Sequence, residues 1–342
     1  MATAGEVYRL FTIVTEILMV YTLILSFYFN KKLSQTSLIH PNLKLILRNI
    51  AVVYPIINIA RFVSYGWTFV MEAEIFAPYQ ANIICLIPRF IEEVGVGCCA
   101  TLIVQITLER TVATLMRKTY EKKGAQIGWM ITGQTLLTAF TFSTCPIIYD
   151  IFISERMDLN KAYVGCRLDQ FHVFMYLMVF VSAFICSVAS ALVLLYIYCY
   201  CRYQLGKMEE MNLSTRYQYS ENISCIKALL PSMGFYLFTA TAGVYVTIFV
   251  YSNFYTYEEI ERNRVLIDAH LMVLHIIGQL YAIGAMTCFL TFFKPLRNEV
   301  VNDINCLLRK KYVEPDEGML KADVVKREEN IDHFKMMNKS WQ

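Results

Sequence analysis

Residues 171–201 read FHVFMYLMVFVSAFICSVASALVLLYIYCYC, without a single Asp, Glu, Lys or Arg. Such a run exceeds the roughly 20 apolar residues needed to cross a ~30 Å hydrocarbon core. In lipid only a helix satisfies its own backbone along that length. Six further runs of the same kind surround it, at 8–29, 45–70, 83–115, 127–149, 226–251 and 266–293. The pattern predicts an all-α membrane protein, a seven-transmembrane helix bundle. A transmembrane barrel would instead show alternating segments of about ten residues. Composition points the same way: 342 residues, 56% hydrophobic and only 17% charged, with mean hydropathy +0.43. Soluble domains are nearer a quarter charged. A net charge of +3 is too even for a nucleic-acid partner, and 11 cysteines in so long a chain are no small disulfide scaffold. The first run carries Glu16 midway and ends at Asn30-Lys31-Lys32 with no small-residue cleavage site, so it reads as a mature helix and not as a signal peptide.

Lys and Arg set the orientation. One side collects Lys31, Lys32, Lys44, Arg117, Lys118, Lys122, Lys123, Arg202, Lys207, Arg216, Lys227, Lys294, Arg297, Arg309, Lys310 and Lys311. The other holds only Arg9, Arg156, Lys161, Arg167, Arg262 and Arg264. The N-terminus is therefore expected outside and the C-terminus inside, the plan of a G-protein-coupled receptor. Asn212, Asn222 and Asn338 head Asn-x-Ser triplets, but all three fall inside and are chance matches under this topology.

Several residues stand out against the apolar background. Glu109-Arg110 sits at the inner end of helix three, where an acid–arginine pair either restrains a coupling arginine or merely snorkels to the interface. Cys85 at the outer end of helix three and Cys166 in the second outer loop are the two cysteines placed outside, and are expected to form a disulfide there. Arg61, Glu92 and His275 share a layer ~14 Å below the outer helix ends, and Glu16 lies at ~12 Å. Intramembrane charges face a cavity or a partner. Arg61, one of Glu92 or Glu93, and His275 thus line a ligand pocket or a transmission switch, or else Arg61 and Glu92 pair to fix helix packing. Glu92 and Glu93 are ~100° apart around the helix, so one of them is expected to face Arg61.

After helix seven, Lys294-Pro295-Leu296-Arg297 leads into Val300, Val301, Ile304, Leu307 and Leu308 at helical spacing, a short amphipathic helix on the inner membrane face. Cys306 at its end is a palmitoylation candidate. The chain thus divides into a receptor domain at 1–311 and a charged, solvated cytoplasmic tail at 312–342. His270 and His275 are five residues apart and do not share a helix face for a metal. No catalytic or phosphate-binding motif occurs, so neither enzyme nor cofactor is expected.

Three inner-side blocks carry a resemblance. They are Leu213-Ser214-Thr215-Arg216-Tyr217-Gln218-Tyr219-Ser220-Glu221-Asn222-Ile223 in the third inner loop, Glu109-Arg110-Thr111-Val112-Ala113-Thr114 followed by Tyr120-Glu121, and His40-Pro41-Asn42-Leu43-Lys44 at the start of helix two. Together they resemble the nematode serpentine chemoreceptors of the Sra superfamily, nearest class epsilon (Sre) partly through Arg61, with Sra, Srab and Srb as sister classes. The resemblance implies a G-protein-coupled chemosensory receptor for a small-molecule cue, in the plasma membrane and by family in a sensory-neuron cilium, with a heterotrimeric G protein as partner. Arg216 and Glu221 then belong to a coupling surface on the inner extension of helix six, with Arg110 as the coupling arginine and Glu109 its restraint. The competing class is a transporter or ion channel, which would show internal repeats and paired broken helices. Gly95, Gly97 and Pro55 are instead expected to mark close helix packing and a kink.

Overall fold

The computed structural model describes residues 4–36, 39–72, 75–116, 119–120, 123–153, 159–160, 173–207, 213–253 and 262–307. Among them run nine helices: α1 (Ala4–Gln35), α2 (Pro41–Glu72), α3 (Pro78–Ala100), α4 (Leu102–Leu115), α5 (Gln126–Phe152), α6 (Val173–Gly206), α7 (Leu213–Asn253), α8 (Arg264–Phe292) and α9 (Lys294–Leu307). Five of them, α1, α2, α6, α7 and α8, are long and apolar enough to cross a membrane by length and composition. The fourth crossing, α5, is diluted by Gln134 and several threonines. The third crossing is α3 and α4 together. Cys166 and the tail at 312–342 lie outside the described residues.

Helix α1 shows the inverted logic of a membrane bundle. Ile13, Ile17, Val20, Ile24 and Phe27 are exposed, while Thr15, Met19, Thr22, Ser26 and Phe29 are wholly buried. With lipid as solvent, large apolar side chains cost nothing outside and small ones let helices approach. Hydroxyls inside the spans are satisfied within their own helix: Thr15, Thr22, Ser64, Thr107 and Ser187 each donate to the carbonyl four residues earlier.

The helices close into a ring. Helix α1 packs on α2 and α8, α8 on α7, α7 on α6, and α6 on α4, while α3 lies against α2 and α5. Glycines set the tight approaches expected of them. A Cβ on Gly95 would stand 2.5 Å from Ile57 Cγ1, and one on Gly97 3.1 Å from the Ala139 Cβ. At Gly128 the obstacle is backbone, with Asn42 Cα and its carbonyl oxygen both 3.0 Å from such a Cβ. Gly128→Ala is therefore expected to cost about 1–3 kcal/mol, because neither main chain can yield. Gly133→Ala, with open space around it, should not destabilise. Thermal unfolding of the two purified variants checks the contrast.

The third crossing is not the single helix expected over 83–115. It breaks at Thr101 (φ −96°, ψ 3°), and the carbonyls this frees are taken up by side chains. Thr101 Oγ1 donates to the carbonyls of Gly97 (3.2 Å) and Cys98 (3.1 Å), and Gln105 Nε2 to that of Cys98 (3.2 Å). The Tyr236 hydroxyl of α7 donates to the Ala100 carbonyl. Buried backbone groups at membrane depth need such partners. Pro55, Pro88 and Pro231, by contrast, all lie within continuous helices.

Helix α9 turns off α8 at Phe293, which is extended (φ −85°, ψ 104°). It is anchored by buried Leu296 and by Asp303, whose Oδ2 accepts from Lys32 Nζ at 2.7 Å and from the Tyr28 hydroxyl at 3.0 Å. The hydrogen bond from Lys32 holds the Asp303 carboxyl below its ordinary range.

Candidate functional site

The arginine at the inner end of the third crossing is almost completely enclosed. Arg110 is 1% exposed and Glu109 0%, so a full charge pair sits where water does not reach. Its guanidinium is spent on several acceptors. Nε and Nη2 donate to the two Glu109 carboxylate oxygens, the latter at 2.6 Å. Nη1 donates to Asn222 Oδ1 at 2.9 Å and lies 4.0 Å from Glu221 Oε1. The Tyr120 hydroxyl donates to Glu109 Oε1. A buried pair is tolerable only when its remaining hydrogen-bonding capacity is met in this way.

The shell around the pair ties five helices together, α2, α4, α5, α6 and α7. Asn222 Nδ2 donates to Thr114 Oγ1 at 3.0 Å and reaches Cys201 Sγ at 3.9 Å. The His40 ring lies on the Tyr120 ring, centroids 4.1 Å apart, and the His40 N–H donates to Glu221 Oε1 at 3.2 Å. The Asn42 N–H donates to His40 Nδ1 (3.3 Å), and the Gly128 N–H to Asn42 Oδ1 (2.9 Å). All three blocks that carry the resemblance thus meet at one point, with Arg110 at its centre.

The protonation states follow. Burial, with the Glu109 carboxylate beside it, raises the Tyr120 phenol above its usual range and keeps it a donor. Burial lowers His40 from 6.5 to about 4, with Glu109 opposing the shift and Arg110 adding to it. The ring is therefore neutral, as its role as acceptor from Asn42 requires. Between pH 6.5 and about 4 the unfolded chain binds a proton at this position that the folded chain refuses, so stability falls as pH drops through that window and is untouched above it. His40→Phe should remove that part of the acid sensitivity, read as thermal stability against pH.

Arg216 is exposed near the start of α7, and Glu221 is half-buried one turn further on. Of the two, only Glu221 joins the Arg110 cluster.

A second charged cluster lies in the outer half. Arg61 (4% exposed) donates to Glu92 (5% exposed), with Nε and Nη2 at 2.9 and 2.5 Å from Oε1. Arg89 Nη1 adds a contact to Glu92 Oε2 at 3.1 Å, and His275 Nε2 stands 3.9 Å from Glu92 Oε1. Glu92 thus faces Arg61, and Glu93 is half-buried beside it. Glu16 is exposed on α1 and does not join the group. Below the cluster, Gln279 Nε2 donates to Asn58 Oδ1 at 2.7 Å and Asn58 Nδ2 to the Met19 carbonyl at 3.3 Å, linking α8, α2 and α1. Cys85 is disulfide-bonded, and its expected partner Cys166 lies outside the described residues. Cys306 is exposed on α9.

Residue spacing alone did not single out Tyr120, His40, Asn42, Asn222 or Gly128. The first four sat inside the quoted blocks, which was their signal. Gly128 had none.

A family model described as serpentine type 7TM GPCR receptor class ab chemoreceptor matches residues 3–314. The matched class is ab, a sister of class epsilon within the same superfamily, and the match lends the epsilon assignment no support. This is a family of chemoreceptors and not of enzymes. No curated protein matches the chain.

Proposed function

The chain belongs to the class ab family of serpentine seven-transmembrane chemoreceptors, and from that premise we propose that it detects a small-molecule cue and activates a heterotrimeric G protein through Arg110. The observation that carries this reading is the enclosure of Arg110 between α4 and α7. A buried cation held by residues of another helix is a latch. When the inner end of α7 moves outward it takes Asn222 and Glu221 with it, and the guanidinium is released into the cavity that opens. There it can donate to the acceptor groups of an inserted G-protein segment. Glu109 and Tyr120 travel with the third crossing and its loop, so they keep Arg110 poised in both states. Arg216, exposed near the start of α7, is the charge this reading assigns to the docked partner.

A ligand need only prefer one of the two states to drive the change. The Arg61–Glu92–His275 cluster lies in the half of the bundle open to the outside. Arg61 is committed to Glu92, so its first role is packing; Arg89, at 14% side-chain exposure, is the more available cation for a ligand. The same reading places the receptor domain at 1–311 in the plasma membrane, with a sensory cilium implied by family, the tail at 312–342 in the cytoplasm, and a palmitoyl chain on Cys306.

The test is reconstitution in liposomes with purified G proteins. Nucleotide exchange above the protein-free baseline, lost in Arg110→Ala, is the expected result. Solute or ion flux in vesicles lacking G protein, with no exchange in their presence, would instead establish a transporter or channel.

A further inference from the structure

Cations at the inner end of the bundle are, for the most part, visibly employed. Lys32 is paired with Asp303 and Arg110 with Glu109, while Arg202 and Lys207 lie over the Tyr198 and Tyr203 rings. Lys44 and Arg48 differ. They stand one turn apart on the same face of α2, against the end of α1, and their like charges oppose one another. An (i, i+4) like-charge pair is unfavourable by itself. Lys44 Nζ donates to the carbonyls of Ser34 and Thr36, both at 3.0 Å. Arg48 Nη2 donates to Ser34 Oγ at 3.0 Å. These acceptors are neutral, and among the described residues no carboxylate pairs with either cation. Arg48 Nε is shut away from solvent with nothing to donate to.

Height in the membrane gives this pair its meaning. Ser34 follows Lys31 and Lys32, just past the apolar run of α1, so the group sits in the inner headgroup layer. Lipid phosphates are the abundant anions at that depth, and juxtamembrane cations attract acidic lipids there. The geometry points to a binding site for the phosphate of an anionic phospholipid, formed by Lys44, Arg48 and the Ser34 hydroxyl. The proposal requires the Arg48 guanidinium to rotate outward, which brings the Nε now buried without a partner and an Nη to two phosphate oxygens as a fork, the geometry that matches a phosphate. Lys44 adds the third of its ammonium hydrogens. Ser34, already an acceptor from Arg48, keeps its own hydroxyl hydrogen to give. A lipid bound there bridges α1 and α2, next to the segment that carries His40 and Asn42 into the Arg110 latch.

The experiment is native mass spectrometry of the detergent-purified full chain offered phosphatidylserine or phosphatidylcholine. Wild type should retain phosphatidylserine selectively. Lys44→Gln/Arg48→Gln should weaken that retention by roughly fivefold for each charge removed. Arg297→Gln, which removes an exposed cation from α9, should leave it unchanged. If the double variant does not purify, Arg48→Lys keeps the charge without the fork and should retain less lipid than wild type. Equal retention by either variant and wild type overturns the site. Displacement of the lipid by millimolar inorganic phosphate would show a site for soluble phosphate and overturn the lipid assignment.

Discussion

Glu92→Ala is expected to remove most of the protein from the cell surface. Glu92 reaches Arg61, Arg89 and His275 at 2.5, 3.1 and 3.9 Å. Deleting it leaves the Arg61 guanidinium, nearly sealed from solvent, without the carboxylate to which it donates. Breaking a buried pair from one side costs about 3–5 kcal/mol, because the remaining charge is uncompensated. Against a total stability of about 5–15 kcal/mol, that is enough to divert the chain to degradation. Glu93→Ala, one residue on and only half-buried, should be close to wild type. The Arg61→Glu/Glu92→Arg exchange should recover part of the loss, since the new carboxylate meets the new guanidinium. Surface labelling of tagged variants reads all three. Wild-type surface levels for Glu92→Ala would mean that the cluster carries no structural weight.

Much of this architecture was open to reading from the chain. Lipid permits few solutions to an apolar run, so the number and direction of the crossings follow from hydropathy and from the placement of Lys and Arg. Counting residues from a helix end gives depth but not azimuth. That is why Arg61, Glu92 and His275 converge as expected while Glu16, at similar depth, faces outward. The break at Thr101 was hidden for a different reason. It coincides with no proline, and the groups that make it affordable, Gln105 and Tyr236, are ordinary residues until packing brings them to the freed carbonyls. At the inner site Glu109 and Arg110 announce themselves as charges at the end of an apolar run. The residues around them do not: Asn222 is far from Arg110 in sequence and His40 far from Glu221, and only the closure of the ring brings each pair together. The three blocks of the resemblance held that information as a pattern whose physical cause, one shared cluster, becomes visible in three dimensions.

Asn222→Ala is expected to raise ligand-independent signalling strongly. Asn222 is the α7 residue in direct hydrogen bond with Arg110, at 2.9 Å, and its amide also reaches Thr114 across the helix boundary at 3.0 Å. Alanine removes both bonds without adding bulk. A hydrogen bond to a charged group is worth about 1.5–3 kcal/mol. Lost from the closed state alone, it shifts the balance toward the open state by roughly ten- to a hundredfold. Glu221→Gln acts in the same direction but more weakly, since that carboxylate stands 4.0 Å from the guanidinium. Under the proposed mechanism Arg110→Ala removes the group that meets the G protein, so it should lower exchange and not raise it. The opposite signs matter, because simple destabilisation would move every variant downward.

The most direct measurement is therefore nucleotide exchange on purified G protein by wild type, Asn222→Ala and Asn222→Ala/Arg110→Ala, compared at equal amounts of folded receptor. A held arginine requires basal exchange to rise in Asn222→Ala and to collapse when Arg110 is removed from that same background. Elevated exchange that persists in the double variant would contradict the account, and Arg110 would then be a packing residue whose charge the partner never meets.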